Sequence, residues 1–241
     1  MICNTAVILC AGLGLRMRPL TLTTPKPLLE LAGQPILSHL LTRVRAAGIT
    51  RIIINTHHLA DQLAAYCAGQ PDITLIHEPA LRGTGGGPAA MLAEGLLPDA
   101  PFFILNGDSF WEDGPTSALA RLAAQFNPAT EDVSLMLART AGILADAGRG
   151  DFLWPRGAGL TRRGERDVAP YLFAGVQIAT KAAFAGAPAI PFSMNRLWDR
   201  AMETGRLTAI VHDGVWFHLS TAEDLQRSAG ALAAHEVGNS T

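Results

Sequence analysis

An α/β fold, with a mostly parallel open sheet and helices on both faces, is what this sequence predicts. Three observations lead there. Short apolar runs of strand length alternate with stretches whose apolar residues recur at helical spacing, in the order βαβα. Several of the apolar runs end in glycine, asparagine or aspartate. Hydrophobic residues make up 49% of the 241 residues, which suits one large domain, or a core with a small appended lobe.

Taken in order, AVILC at residues 6–10 reads as a buried strand. ILSHLLTRVRAAG follows as a helix, with Ile36, Leu37, Leu40, Leu41 and Val44 on one face and Gly48 as its stop. RIIIN is a second strand, LADQLAAYCAG a short helix ending at Gly69, and ITLIH a third strand. A glycine cluster then leads into a helix near residues 88–97. FFILNGD is a fourth strand with a polar end, SALARLAAQF a helix, and VSLMLAR another strand. Beyond about residue 140 the pattern loosens, and residues 142–167 read as loops or a short hairpin rich in Gly and Arg. YLFAGVQI is a strand and SMNRLWDRAMETG a helix. LTAIVHDGVWFHL reads as a hairpin turning at Asp213–Gly214. The closing helix, TAEDLQRSAGALAAH, opens with Thr221 and Asp224 in a capping-box arrangement. There is no internal repeat and no low-complexity segment.

Open α/β sheets bind ligands beyond the carboxyl ends of their strands. Gly12 to Arg18, His77 to Gly87 and Asn106 to Asp108 all follow predicted strands, so separate stretches converge on one rim. The charge balance, 19 Lys and Arg against 21 Asp and Glu, carries no electrostatic footprint for nucleic acid. With no run of 18 apolar residues, no membrane span is expected. The amino-terminal apolar run breaks at Gly12 and Gly14 before a basic stretch, and reads as a core strand, not a signal peptide. Cys3, Cys10 and Cys67 form neither a metal spacing nor an even disulfide framework. Buried thiols in a reducing cytoplasm are expected.

The loop GLGLRMR is not a dinucleotide fingerprint, because Met17 stands where the third glycine belongs. Nor is it a Walker A loop, since no Gly-Lys-Ser/Thr follows. A glycine pair alone is as readily a tight turn. The charge that follows raises its interest. Arg16 offers planar donors suited to phosphate oxygens, and Lys26, between Pro25 and Pro27, adds a point charge on a restricted backbone. Otherwise both are solvated surface charges.

The longer run GLGLRMRPLTLTTPKPLLELAGQPIL resembles the signature of the sugar-phosphate nucleotidyltransferases, and the resemblance extends to about residue 235. The nearest branch is the short one that joins UTP to N-acetylmuramate 1-phosphate; glucose- and mannose-1-phosphate enzymes share the signature. The resemblance implies a Rossmann-like nucleotidyltransferase fold with a small sugar-binding lobe. It implies one domain over 1–241, with nucleotide-binding elements mainly in 1–140 and sugar- and metal-binding elements mainly in 141–235. By the same resemblance Ala11, Gly12 and Gly14 cradle the triphosphate, Arg16 holds its phosphates and Lys26 neutralises charge at the reacting phosphoryl group. Gly83, Thr84, Gly85 and Gly86 lie beside the base. Asn106, Gly150, Asp151, Gly175, Asn195 and Arg196 line the sugar pocket, and Asp108 binds the metal. Mg²⁺ is the implied cofactor, with Mn²⁺ or Co²⁺ as alternatives. The implied partners are UTP and a sugar 1-phosphate, with no nucleic acid and no membrane, in a monomer or weak homodimer.

The chemistry asks for these parts on its own terms. A sugar 1-phosphate already carries a nucleophilic oxygen anion, so no strong general base is needed, and no serine or cysteine triad stands out. The difficulty is bringing that dianion to a more negative triphosphate. Arginine, lysine and a hard cation held by Asp108 answer it by alignment and electrostatic stabilisation.

One stretch departs from the family pattern. Where family members close with a tryptophan strand, an aspartate and a Gly-Thr pair, this chain has GVWFHLSTAEDL. Trp216, Thr221 and Leu225 fit, but His218 stands at the aspartate position and Ser220 at the glycine position. Imidazole suits Mn²⁺, Co²⁺ or Zn²⁺ better than Mg²⁺. Four readings follow: His218 binds the metal directly or through water, it donates to phosphate, it is merely tucked under the last helix, or the site has lost turnover. Leu13 likewise replaces a lysine common in relatives. The lactyl carboxylate of muramate would need a donor or cation, for which Arg149, Arg166 and Arg196, with Asn195, are candidates. The competing functions are therefore a uridylyltransferase, a hexose-1-phosphate nucleotidyltransferase, and an inactive nucleotide-sugar binding protein.

Overall fold

The apolar run after Asn4 becomes β1 (Thr5–Leu9), deep in a nine-stranded sheet of the computed structural model, which describes residues 3–141 and 148–238. Three 3₁₀ turns (Leu15–Met17, Leu20–Leu22, Lys26–Leu28) and the small ladder of β2 (Glu30–Leu31) and β3 (Gln34–Pro35) lead into α1 (Ile36–Ala46). Next come β4 (Arg51–Thr56), α2 (Ala60–Cys67), β5 (Ile73–His77), α3 (Gly83–Ala93) and β6 (Phe102–Asn106). They are followed by β7 (Phe110–Glu112), α4 (Ala118–Gln125) and β8 (Val133–Arg139). The later part contributes β9 (Phe152–Leu153), β10 (Thr161–Arg162), the long β11 (Tyr171–Ala179) and α5 (Asn195–Glu203). It ends with β12 (Leu207–Val211), β13 (Val215–Phe217) and α6 (Ala222–Gly238).

The main sheet runs β10-β9-β11-β6-β1-β4-β5, with β8 pairing both β11 and β12. β6, β1, β4 and β5 are mutually parallel, as are β8 and β12, while β11 runs antiparallel between β6 and β8. Side chains alternate between the two faces of each strand. Ala6, Ile8, Ile52, Ile54, Phe103 and Leu105 therefore pack with the Leu37, Leu40, Leu41 and Val44 stripe of α1, Leu63 of α2 and Leu119 and Leu122 of α4. Val7, Ile53, Phe102 and Ile104 pack the other way, with Met91 of α3 and Leu197, Trp198 and Ala201 of α5. Each such buried side chain contributes roughly 1.5–3 kcal/mol relative to exposure. Because α1 and α2 lie on one face and α3 on the other, the winding reverses between β1 and β6. That reversal is where such sheets open a ligand crevice. A third cluster, including Met17, Leu31, Ile36, Phe110, Phe217 and Leu225, ties the opening loop to the last helix.

The capping box at the last helix forms as expected. The Thr221 hydroxyl accepts the Asp224 N–H at 3.1 Å, and the Asp224 carboxylate accepts the Thr221 N–H at 2.9 Å. Within the stretch expected to be loops or a hairpin, β9 and β10 pair antiparallel, while residues 142–147 lie outside the described residues.

Two expectations are corrected. The helix expected near 88–97 begins at Gly83 and ends at Ala93, so the glycine cluster is its first turn and not a loop before it. The segment 207–219 is not a hairpin. β12 lies parallel to β8, and the His212 N–H extends that ladder by donating to the Leu137 carbonyl at 2.8 Å. Asp213 is then held by an ion pair to Arg121, and β13 crosses away to pair antiparallel with β7. The Trp216 indole fastens it to the Ala174 carbonyl at 3.0 Å. Among the described residues no helix is long and apolar enough to cross a membrane.

Candidate active site

The carboxyl ends of β6, β1, β4 and β5 open onto a cavity of about 570 Å³. Its floor is Leu9 and Cys10 after β1, Asn55 at the end of β4, Glu78 after β5, and Asn106 and Asp108 after β6. One wall is the opening loop, with Ala11, Gly12, Gly14, Arg16 and Lys26; the other is the start of α3, with Gly83 and Thr84; Ser220 closes the edge.

Local sterics explain how these side chains meet. At Gly107 a methyl group would lie 2.5 Å from the Cys10 sulfur and 2.8 Å from the Leu9 carbonyl oxygen, so only glycine lets the ends of β1 and β6 approach. Asp108, the next residue, is thereby brought to Lys26, and the two form a direct ion pair with Lys26 almost buried and Asp108 about one-third exposed. Gly14 sits at φ +60°, and a methyl there would lie 2.7 Å from Thr21 Cγ2; the Thr21 hydroxyl donates to its carbonyl at 2.9 Å. This folds the loop back so that Lys26 faces the strand ends. Gly12, by contrast, has open space on its Cβ side. Arg16 is exposed at the cavity mouth.

A buried relay lies beneath the cavity, and sequence reasoning missed it. The Asn55 side chain accepts the Cys10 N–H at 2.7 Å and donates to Glu78 at 2.8 Å; the other Glu78 oxygen accepts the Arg82 N–H at 3.1 Å. Asn55 and Glu78 are each 3% exposed. The relay joins the opening loop to the amino end of α3. The signal in the sequence is limited to a polar residue at the end of each apolar run.

His218 is half-buried, with its ring 5.5 Å from that of Trp216. Burial is the main cause that pushes its pKa down; Asp224 opposes this, Arg16 and Lys26 reinforce it, and Asp108 opposes it. The imidazole thus stands within electrostatic reach of the Lys26–Asp108 pair in its neutral form. Ser220, also at a departure from the family pattern, has a buried hydroxyl without a partner among the described residues.

The cavity therefore brings together Ala11, Gly12, Gly14, Arg16, Lys26, Gly83, Thr84, Asn106 and Asp108. Gly85 and Gly86 are buried behind the wall instead of lining it. Gly150 and Gly175 have positive φ and make close backbone approaches, Gly150 to Ala169 and Gly175 to Ser109. The Asp151 carboxylate accepts the Phe173 N–H at 2.9 Å, beside the irregularity in β11. Asn195 and Arg196 are exposed at the start of α5. Gly175, in the middle of β11, packs against Ser109 and Asn106 at the β6 edge of the cavity, whereas Gly150, Asp151, Asn195 and Arg196 lie outside this cavity, on the lobe built by β9, β10, the start of β11 and α5. Phe152, Phe173 and Trp198 pack there, with the Arg162 guanidinium over Phe152 and Trp198.

Residues 5–141 match the Nucleotidyl transferase family model. The chain is 37% identical over 237 residues to N-acetylmuramate alpha-1-phosphate uridylyltransferase of Caulobacter vibrioides, covering 95% of this chain and 96% of that one. It is 30% identical over 246 aligned positions to the protein of the same name from Neisseria meningitidis serogroup B, covering 94% and 98%. A UDP-glucose pyrophosphorylase crystallised with UDP-glucose shares the fold, with a TM-score of 0.80 at 15% identity over 97% of this chain and all of that one. A cavity carrying Arg16, Lys26 and Asp108 at the reversal of a parallel sheet, together with similarity to these relatives over nearly the whole chain, leads to one assignment: the chain belongs to the sugar-phosphate nucleotidyltransferases.

Proposed function

We propose that the chain transfers the uridylyl group of UTP to N-acetylmuramate 1-phosphate, giving UDP-N-acetylmuramate and pyrophosphate, in the recycling of peptidoglycan sugars in the cytoplasm. The observation that supports this substrate pair is the full-length similarity to two relatives of that name. In this reading a phosphate oxygen of the sugar 1-phosphate attacks the α-phosphorus of UTP. The bond from that phosphorus to the bridging oxygen breaks, and pyrophosphate leaves with the electron pair.

In this reading each residue takes the following part. The open side of Gly12 and the backbone from Ala11 to Gly14 admit the triphosphate close to the loop. Arg16, at the mouth, holds the phosphates that leave. Lys26 neutralises charge between donor and acceptor phosphates. Gly83 and Thr84 present backbone N–H groups to the pyrimidine edge, with Gly85 and Gly86 behind them. A divalent cation, Mg²⁺ or alternatively Mn²⁺ or Co²⁺, supplies charge neutralisation across the phosphates when bound. Among the described residues no group of three or more His, Cys, Asp or Glu side chains is placed to hold a metal ion. Asp108, substrate phosphates and water would suit Mg²⁺, which commonly keeps waters and few protein ligands, while an imidazole from His218 would favour Mn²⁺ or Co²⁺. Asp108 would hold the cation, and Lys26, its ion-pair partner in this structure, would then be available to phosphate. Asn106, Gly150, Asp151, Gly175, Asn195 and Arg196 shape the sugar side, and Arg149, Arg166 or Arg196 meets the lactyl carboxylate.

The test is pyrophosphate release from UTP with N-acetylmuramate, N-acetylglucosamine, glucose and mannose 1-phosphates. Equal kcat/KM for the muramate and N-acetylglucosamine compounds would remove the dedicated carboxylate site. A preference for a hexose phosphate would replace the reading with a hexose-1-phosphate nucleotidyltransferase. One observation favours a third reading, an inactive nucleotide-sugar binder: His218 stands where the family carries a carboxylate. Binding of UTP without pyrophosphate release, with any of the three cations, would establish it.

A further inference from the structure

Two glycines at the start of α3, Gly83 and Gly85, pack closely against Phe192. A methyl group added at Gly85 would lie 2.4 Å from Phe192 Cε2 and 2.7 Å from its Cδ2. One added at Gly83 would lie 2.6 Å from the Phe192 carbonyl oxygen. That carbonyl accepts the N–H groups of Gly85 at 2.9 Å and Gly86 at 3.3 Å, and the Phe192 N–H donates to the Arg82 carbonyl at 3.0 Å. Two residues on, the Met194 N–H donates to the Thr84 hydroxyl at 3.0 Å. A short strap ahead of α5 thus fastens the first turn of α3 with backbone bonds and an aromatic ring.

The consequence lies in how the helix's first donors are divided. A helix start leaves its first four N–H groups without intrahelical acceptors. Here the inner two, on Gly85 and Gly86, are taken by Phe192, while the outer two belong to Gly83 and Thr84 on the cavity wall. Gly83 holds φ +74°, a backbone conformation that tolerates little displacement with any other residue. Phe192 itself is not part of the wall.

We propose that Phe192 is a positioning residue for the nucleotide: it holds the first turn of α3 so that Gly83 and Thr84 meet the nucleoside triphosphate, and it is the reason residue 85 is glycine. This rests on the reading that the cavity takes a nucleoside triphosphate. It differs from a direct role of Gly85 in ligand contact, because a methyl group at 85 then matters only while the Phe192 ring occupies the space.

A double-mutant cycle separates the two. Phe192→Ala, Gly85→Ala and the double variant are compared with the wild-type chain by calorimetric UTP binding, steady-state rates and melting temperature. Phe192→Ala raises both Kd and KM for UTP about tenfold with kcat within about twofold, since ground-state binding alone is weakened. Gly85→Ala has a similar effect in the wild-type background. In the Phe192→Ala background it has none, and it raises the melting temperature, because alanine is the better helix former once the space is open. Phe192→Leu, which keeps apolar bulk, falls between wild type and Phe192→Ala and replaces it in the cycle if that variant fails to fold. Equal weakening by Gly85→Ala in both backgrounds, or unchanged UTP affinity in folded Phe192→Ala, overturns the proposal. If the wild-type chain prefers a purine triphosphate, the uridylyl reading fails and the cycle is run with that nucleotide. If it binds no triphosphate, both fail.

Discussion

Replacing Asn55 with alanine would cut the relay beneath the cavity and remove two hydrogen bonds from one buried point. The Cys10 N–H, 2.7 Å from the amide oxygen, would lose its acceptor. The Glu78 carboxylate, 2.8 Å from the amide nitrogen, would keep only the Arg82 N–H at 3.1 Å. An orphaned buried N–H costs roughly 1–3 kcal/mol, and a buried charge stripped of a donor costs more. A hydrogen bond to a charged group contributes about 1.5–3 kcal/mol. Water entering from the adjoining cavity offsets part of this, so we expect a loss of about 3 kcal/mol. Urea unfolding is the assay, with the midpoint falling and the slope unchanged. UTP affinity should fall as well, because the relay joins both walls of the cavity. Asn55→Asp is the informative companion. It preserves the acceptor for Cys10 but sets a second carboxylate against Glu78. Its stability should fall below that of wild type, because two carboxyl groups then face each other where an amide donated to Glu78. A loss below about 1 kcal/mol in Asn55→Ala, with UTP affinity intact, would refute the reasoning.

Further outcomes are expected elsewhere. Asp108→Asn should lower turnover about a hundredfold or more while leaving the urea midpoint near that of wild type; rates and cation dependence within a fewfold of wild type would exclude Asp108 from the cation site. His218→Asp should shift the ratio of rates in Mg²⁺ and Mn²⁺ toward Mg²⁺, and an unchanged ratio would place the imidazole outside the coordination chemistry. His212 is buried, and burial is the main cause that pushes its pKa down. The unfolded ring takes up a proton near its ordinary value of about 6.5, before the folded one does, so stability is full above that pH and falls below it by at most about 1.4 kcal/mol per unit. His212→Gln should flatten that acid limb in urea midpoints between pH 7 and pH 5, and parallel profiles would count against it. Burial raises the thiol pKa of Cys3 to about 11 and also raises those of Cys10 and Cys67. A thiol reagent at pH 8 should therefore label the denatured chain and spare the native one; rapid labelling of folded protein would contradict this.

The sequence was legible wherever a local pattern carried the information. The α1 stripe at Ile36, Leu37, Leu40, Leu41 and Val44 is buried as its helical spacing demands. The Thr221–Asp224 box closes because both partners lie within one turn. Arg16, Lys26 and Asp108 were recognisable by charge and by their places after apolar runs, and the structure brings all three to one cavity. The Asn55–Glu78 relay was less legible, since nothing in either local run says that the two polar ends will be neighbours.

Periodicity, strand ends and loop charge thus determined, from the sequence alone, an α/β sheet whose strand ends and following loops carry the charged and polar residues of one cavity. They could do so because side-chain direction repeats with a fixed local period in helices and strands. Only the tertiary structure decided which glycines face the cavity and which face Phe192, because a glycine's purpose depends on what would otherwise collide with its missing side chain. The same holds for the crossing of β13 to β7. A turn such as Asp213–Gly214 permits a hairpin, but the Arg121 ion pair, the Leu137 ladder bond and the Trp216 anchor come from three distant segments, and together they outweigh the local preference.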